Sequence, residues 1–234
     1  MKLAESKTLK NLARAYAGEC QARTRYEFIE YGARMGGYNA LAEVVDKVVY
    51  NEFNHARMFY TKIQDADDKP IVNIEITGGF PFKEKWDLVE NLRLAAEDED
   101  EEIKLYKKFA KVALDEGFKD IADLFTMTAS VENCHKMMFT DLYNQLKNKC
   151  IYKKDKAVKW KCAGCGYEEE RKDAWKECPL CKAKQGFVML ELADEPQKEQ
   201  KPKQEQKQKV TEPKKTENKK QPQKEQIKKT AKAK

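Results

Sequence analysis

The sequence predicts an all-α four-helix bundle, then a small cysteine-held metal module, then a polar extension. Three observations carry this. Apolar residues recur every three or four positions over four long stretches before residue 150, which is the helical period. Behind them two C-x-x-C pairs, Cys162/Cys165 and Cys178/Cys181, stand twelve residues apart. The last forty or so residues are almost entirely Lys, Gln, Glu, Pro and Thr, which leaves too little to bury to offset the entropy of ordering. The expected division is a bundle over 1–150, a metal module over 151–193 and a disordered tail over 194–234.

The first helix is expected over about residues 2–35, with Leu9, Leu12, Tyr16, Glu19 and Tyr26 on one stripe, and Gly36-Gly37 ends it. A second runs over about 39–64 through Leu41, Val45, Val48, Glu52, His55 and Phe59. Pro70, Gly78, Gly79 and Pro81 forbid a long helix over 65–85, and a connection of that length suits an overhand crossover better than a hairpin. The third helix, about 83–115, carries Leu88, Leu92, Ala95, Glu99, Glu102, Tyr106, Phe109 and Ala113 in three-four alternation. After a turn at Glu116-Gly117-Phe118, the fourth reaches about residue 149 through Ile121, Phe125, Thr128, Glu132, His135, Phe139 and Leu142.

All four stripes therefore contain carboxylates where apolar residues belong. The chain has only two histidines, His55 and His135, and each follows a glutamate by three positions. On a helix that spacing aims a carboxylate and an imidazole at one point. Five inward glutamates without counter-charge would not leave a stable fold, because each unpaired buried carboxylate costs several kcal/mol. Pairing with Arg23 or Arg25 is one way to supply that charge. Two iron or manganese ions suit the oxygen-rich set better, since tetrahedral structural zinc would leave ligands over.

Four thiolates at Cys162, Cys165, Cys178 and Cys181 suit a single tetrahedral ion, and the spacing leaves iron and zinc both open. A segment this small needs such a staple to fold, with Trp160, Tyr167, Trp175 and Phe187 as its aromatic core. Cys20, Cys134 and Cys150 are scattered singles, so the cysteine usage is that of a reducing compartment. The net charge of +6 is no nucleic-acid signature: residues 194–234 hold 14 Lys against 7 acids, while residues 1–193 hold 32 Lys and Arg against 33 acids. No apolar run is long enough to span a bilayer and no signal sequence is present, so a cytoplasmic protein with neither nucleic-acid nor membrane partners is expected.

The stretch Ala17-Gly18-Glu19-Cys20-Gln21-Ala22-Arg23, both Glu-x-x-His motifs, Glu116-Gly117-Phe118 and the Cys-Pro-x-Cys knuckle resemble the rubrerythrins over about residues 5–192. The resemblance implies a ferritin-like di-iron bundle joined to a rubredoxin-like mononuclear iron, acting as a peroxidase that reduces hydrogen peroxide to water. It implies Glu52 and Glu132 as bridging carboxylates, Glu19, Glu99 and Glu102 as terminal ligands and His55 and His135 as imidazole ligands, with Glu102 and His55 exchanging on reduction. Tyr26 and Tyr106 resemble the family's active-site tyrosines. A homodimer is implied too, as is an electron donor such as a rubredoxin or an NAD(P)H-dependent reductase. The alternative is a ferroxidase or iron-handling protein with a structural zinc module. One departure concerns the third helix: counting back from Tyr106 points to Asp98 and Glu101 as ligands, whereas counting forward from Asn91-Leu92, like the inward stripe, points to Glu99 and Glu102.

Overall fold

A computed structural model describes residues 2–83 and 85–192, so the tail expected over 194–234 lies outside the described residues. Four helices, α1 (Lys7–Met35), α2 (Asn39–Gln64), α3 (Leu88–Asp115) and α4 (Lys119–Lys147), are followed by strands β1 (Lys153–Lys161) and β2 (Glu168–Asp173). The helices pack chiefly as two hairpins, α1 with α2 and α3 with α4. Their tight turns need a left-handed residue, supplied by Gly37 (φ 79°) and Gly117 (φ 88°). The chain between α2 and α3 carries no helix or strand among its described residues, as expected of a crossover.

Two helix boundaries differ from the sequence reading. The first helix begins at Lys7 because the Ser6 side chain caps it by accepting from the Leu9 N–H at 3.1 Å, behind a short 3-10 turn. The third begins at Leu88 and not near residue 83, since extended Asp87 accepts the Glu90 N–H at 2.9 Å. Lys83 belongs instead to the crossover, which it ties down by pairing with buried Asp98 at 2.9 Å.

The core is split in two. Leu9, Leu12, Phe59, Tyr106, Phe109, Ile121 and Phe125 fill one half. Tyr26, Ile29, Leu41, Val45, Leu92, Phe139 and Leu142 fill the other. On α1, α2 and α4 the residues between these halves are Glu19, then Glu52 and His55, then Glu132 and His135, and on α3 Glu99 lies between Leu92 and Tyr106. A polar layer thus crosses the bundle at mid-height with an apolar wall on either side. Such walls keep out the water that would otherwise solvate the charges.

In the module β1 and β2 pair antiparallel, with Trp160 opposite Glu169. Trp160, Trp175, Val188 and two of the cysteines, Cys162 and Cys178, form its core. Val188 and not Phe187 is the buried member of that dipeptide, because the 3-10 turn Gln185–Phe187 leaves the phenyl ring half exposed. Module and bundle belong to one compact unit, Met1–Pro196. Gly186 meets the α1–α2 turn so closely that a Cβ there would stand 1.6 Å from the Gly37 carbonyl oxygen. The Gln145 amide also donates to the Glu191 carbonyl at 2.9 Å.

Candidate metal centre

Helical phase brings the two Glu-x-x-His pairs face to face. His55 Nδ1 lies 2.9 Å from Glu132 Oε1, 3.5 Å from Glu52 Oε2 and 3.6 Å from Glu19 Oε2. His135 Nδ1 lies 2.8 Å from Glu132 Oε2, 2.9 Å from Glu52 Oε1 and 3.7 Å from Glu99 Oε1. Glu52 and Glu132 each show one oxygen to either histidine, so they span two adjoining positions. Two donor sets result, Glu19/Glu52/His55/Glu132 and Glu52/Glu99/Glu132/His135, each with its ligand atoms within 4.8 Å of one another.

Each outer carboxylate is also fixed by a tyrosine. Tyr26 Oη donates to Glu99 Oε1 at 2.6 Å, and Tyr106 Oη donates to Glu19 Oε1. The opposite oxygens, Glu99 Oε2 and Glu19 Oε2, have no hydrogen-bond partner. Neither do both oxygens of Glu52 and Glu132 or Nδ1 of His55 and His135. These account for eight of the ten orphaned buried polar atoms among the described side chains. The close approaches quoted above are contacts of charge without hydrogen-bond alignment. Orphaned donors of this kind, converging in a dry layer, fit two divalent cations and little else.

The electrostatics agree. Burial, and then the charges of Glu132 and Glu52, push the carboxyls of Glu19, Glu99 and Glu102 well above the ordinary range. Glu52 goes the other way: burial opposes ionisation, but pairing with His135 and His55 prevails and its pKa falls. Burial likewise opposes charge on both imidazoles, yet the carboxylates raise His55 far above its usual value and His135 to about 9. Without metal, protons therefore stand where the cations would, and metal binding would displace them.

Glu102 stands outside both donor sets. It is half-buried, and its carboxylate rests beside Gly18 on α1. It lines a crevice of about 310 Å³ with Arg14, Tyr106 and Lys108. Asp98 faces Arg25 and Lys83, and Glu101 is exposed. Arg23 pairs with Glu27 at 2.8 Å. Sequence reasoning missed Asn51, whose amide lies 3.1 Å from His135 Nε2. With its oxygen turned to that nitrogen it would accept the Nε2–H and leave Nδ1 free as a donor. Its only signal in the sequence is its place next to Glu52.

The second site is formed by two knuckles of like geometry. The Gly166 N–H bonds the Cys162 carbonyl at 2.8 Å and the Lys182 N–H bonds that of Cys178 at 3.0 Å, with Gly166 (φ 75°) and Lys182 (φ 63°) both left-handed. Cys162 and Cys181 sulfurs are 3.7 Å apart, as are those of Cys165 and Cys178. A tetrahedron with metal–sulfur bonds of about 2.3 Å has edges of about 3.8 Å, so the four sulfurs fit one ion. Burial would raise the Cys178 thiol, but the N–H groups of Cys181 and Leu180 bring it down to about 7.

Fold and sites together define a ferritin-like four-helix protein with a carboxylate–imidazole layer of the di-iron type and a four-thiolate centre for a further metal. A family model described as Rubrerythrin matches residues 10–143 and 90–163. The chain is 38% identical over 183 residues to a rubrerythrin of Clostridium perfringens, covering 78% of this chain and 93% of that one. It belongs to the rubrerythrin family. Solved structures share the fold: nigerythrin in a mixed-valence state (TM-score 0.51, 23% identity, 82% of this chain and 94% of that chain) and Desulfovibrio desulfuricans bacterioferritin (TM-score 0.55, 24% identity, 63% and 82%). Membership supports an iron-dependent oxidoreductase function linked to oxidative stress. Among the described residues no helix is long and apolar enough to cross a membrane.

Proposed function

We propose that the protein is a cytoplasmic peroxidase that reduces hydrogen peroxide to water with electrons relayed through an iron in the four-thiolate site. The observation that carries this is the presence in one chain of both a two-cation layer and a separate thiolate centre. When bound, the layer's ferrous ions supply two electrons together for O–O cleavage, and the thiolate iron restores them one at a time.

The chain's own residues do the rest. Glu19, Glu52, Glu99, Glu132, His55 and His135 would hold the two cations, and Glu102, one turn beyond Glu99 on the same face, would be a seventh donor in reserve, available in exchange for His55. Tyr26 and Tyr106 each hydrogen-bond one oxygen of Glu99 and of Glu19, which fixes both carboxylates beside the layer. Their hydroxyls hold protons beside the layer, where reduction of peroxide to two waters consumes two. The apolar halves of the core exclude water, and peroxide enters by the crevice beside Glu102 and Tyr106.

The module seats on the α1–α2 turn of its own chain, about 20 Å from Glu52 by helical rise along α2. That separation favours a homodimer in which each module serves the partner's layer. A rubredoxin or an NAD(P)H-dependent reductase fits as donor. Replacing Cys178 and Cys181 by serine tests the relay. The reduced variant should still be oxidised by peroxide in a single turnover, while steady-state turnover with a reductase falls steeply. Unchanged steady-state turnover would refute the relay and leave a ferritin-like oxidase with a structural module.

A further inference from the structure

Glycine inside a helix is less favourable than alanine unless something needs the missing side chain. Gly18 lies in the middle of α1, and it is not among the glycines with positive φ. Gly32, in the same helix, has nothing within 4 Å of where its Cβ would be. Gly18 differs: a Cβ there would stand 3.3 Å from Glu102 Oε1, closer than ordinary van der Waals contact. It also immediately precedes Glu19. The missing methyl therefore makes room for one particular carboxylate, the inward glutamate of α3 that belongs to neither donor set.

We propose that Gly18 is a positioning residue for the metal layer: its empty notch holds the Glu102 carboxylate off the cations and leaves His55 Nδ1 as the donor on that side. The inference rests on reading the layer as a two-metal site with Glu102 in reserve. Filling the notch must move the carboxylate, because α1 cannot yield but the end of a glutamate side chain can. Outward, the crevice offers Asp98 and Glu101, which repel it, Arg25, whose charge is engaged by Asp98, and Arg14, Lys104 and Lys108 toward solvent. Inward lie divalent cations that a carboxylate can bond directly. Gly18→Ala should thus add an oxygen donor to the layer.

Manganese(II) is the probe, since it favours carboxylate and imidazole over thiolate and so reports on the bundle alone. The full chain, stripped of metal, is titrated with Mn(II), and free Mn(II) is counted by electron paramagnetic resonance. The wild type should bind two ions per chain. Fewer would overturn the two-metal reading itself, and the inference with it. In Gly18→Ala one of the two ions should bind about threefold or more tighter. Shortening the displaced carboxylate, in Gly18→Ala/Glu102→Asp, should restore wild-type affinity. Gly32→Ala should leave affinity unchanged and raise the melting temperature, and the other variants are also made on that firmer helix so that a folding defect does not mask the result. Two ions bound by the wild type, with Gly18→Ala no tighter, would overturn the role of Gly18 while sparing the two-metal reading. So would tightening that the shortened carboxylate fails to reverse.

Discussion

Glu99→Gln should have opposite consequences with and without metal. Glu99 is fully buried, accepts the Tyr26 hydroxyl at 2.6 Å through Oε1 and has no partner for Oε2. Burial and the charges of Glu132 and Glu52 raise its pKa well above the usual value. In the metal-free chain the group is therefore protonated, and glutamine is close to its isostere, with an amide oxygen to accept from Tyr26. A carboxyl whose folded pKa is raised contributes stability that is complete below its unfolded pKa of about 4.3 and is lost as pH rises toward the folded value. Glutamine has no such loss. Metal-free Glu99→Gln should match the wild type near about pH 4 to within about 0.5 kcal/mol. Near neutral pH it should be the more stable by about 1–3 kcal/mol, the usual cost of a buried unsatisfied polar group. At about 2–4 °C per kcal/mol, that is roughly 2–12 °C in melting temperature. With Mn(II) at a thousandfold over its dissociation constant the order should reverse near neutral pH. The wild type gains about 4.1 kcal/mol per occupied position, and the variant loses the gain at the position shared with Glu52, Glu132 and His135. Thermal unfolding followed by circular dichroism, at both pH values and with and without Mn(II), measures all four cases. A variant less stable than wild type at both pH values without metal, or an undiminished gain from Mn(II), would refute the reasoning.

Tyr106→Phe removes the donor that fixes Glu19; it should cost about 1 kcal/mol and slow peroxide consumption with the metal count unchanged, as read by elemental analysis beside a peroxide assay. Glu116 caps α1 from the α3–α4 turn, accepting from Lys7 N at 3.1 Å, Thr8 N at 2.9 Å and Thr8 Oγ1 at 2.6 Å. Glu116→Ala should therefore lose about 1–2 kcal/mol in urea unfolding. Burial works against its ionisation, but the Thr8 and Lys7 bonds hold its pKa down, so this stability is present above the ordinary glutamate pKa and the gap to wild type should close in acid. Gly186→Ala should part the module from the α1–α2 turn while leaving four thiolates to bind metal, and hydrogen exchange should quicken around residues 37–39.

Periodicity by itself determined a great deal about this protein. A three-four stripe states which face of a helix is inward, so Glu19, Glu52, Glu132 and their two histidines could be placed in the core from the sequence, and the C-x-x-C spacing marked the second site. The stripe of α3 also favoured Glu99 over Asp98, and in the structure Glu99 meets Tyr26 while Asp98 pairs with Arg25 and Lys83. What periodicity lacks is the reach of side chains between helices. It could not show that Tyr26 from α1 would hold Glu99 of α3 while Tyr106 of α3 held Glu19 of α1. Nor could it show that Asn51 would back His135, that Val188 would fill the module where Phe187 was expected, or that Glu102 would turn from the donor sets to Gly18. A helical face is a local property, fixed by 3.6 residues per turn. Which side-chain tips meet across it depends on the heights and rotations at which four separate helices pack, and only the tertiary structure decides those.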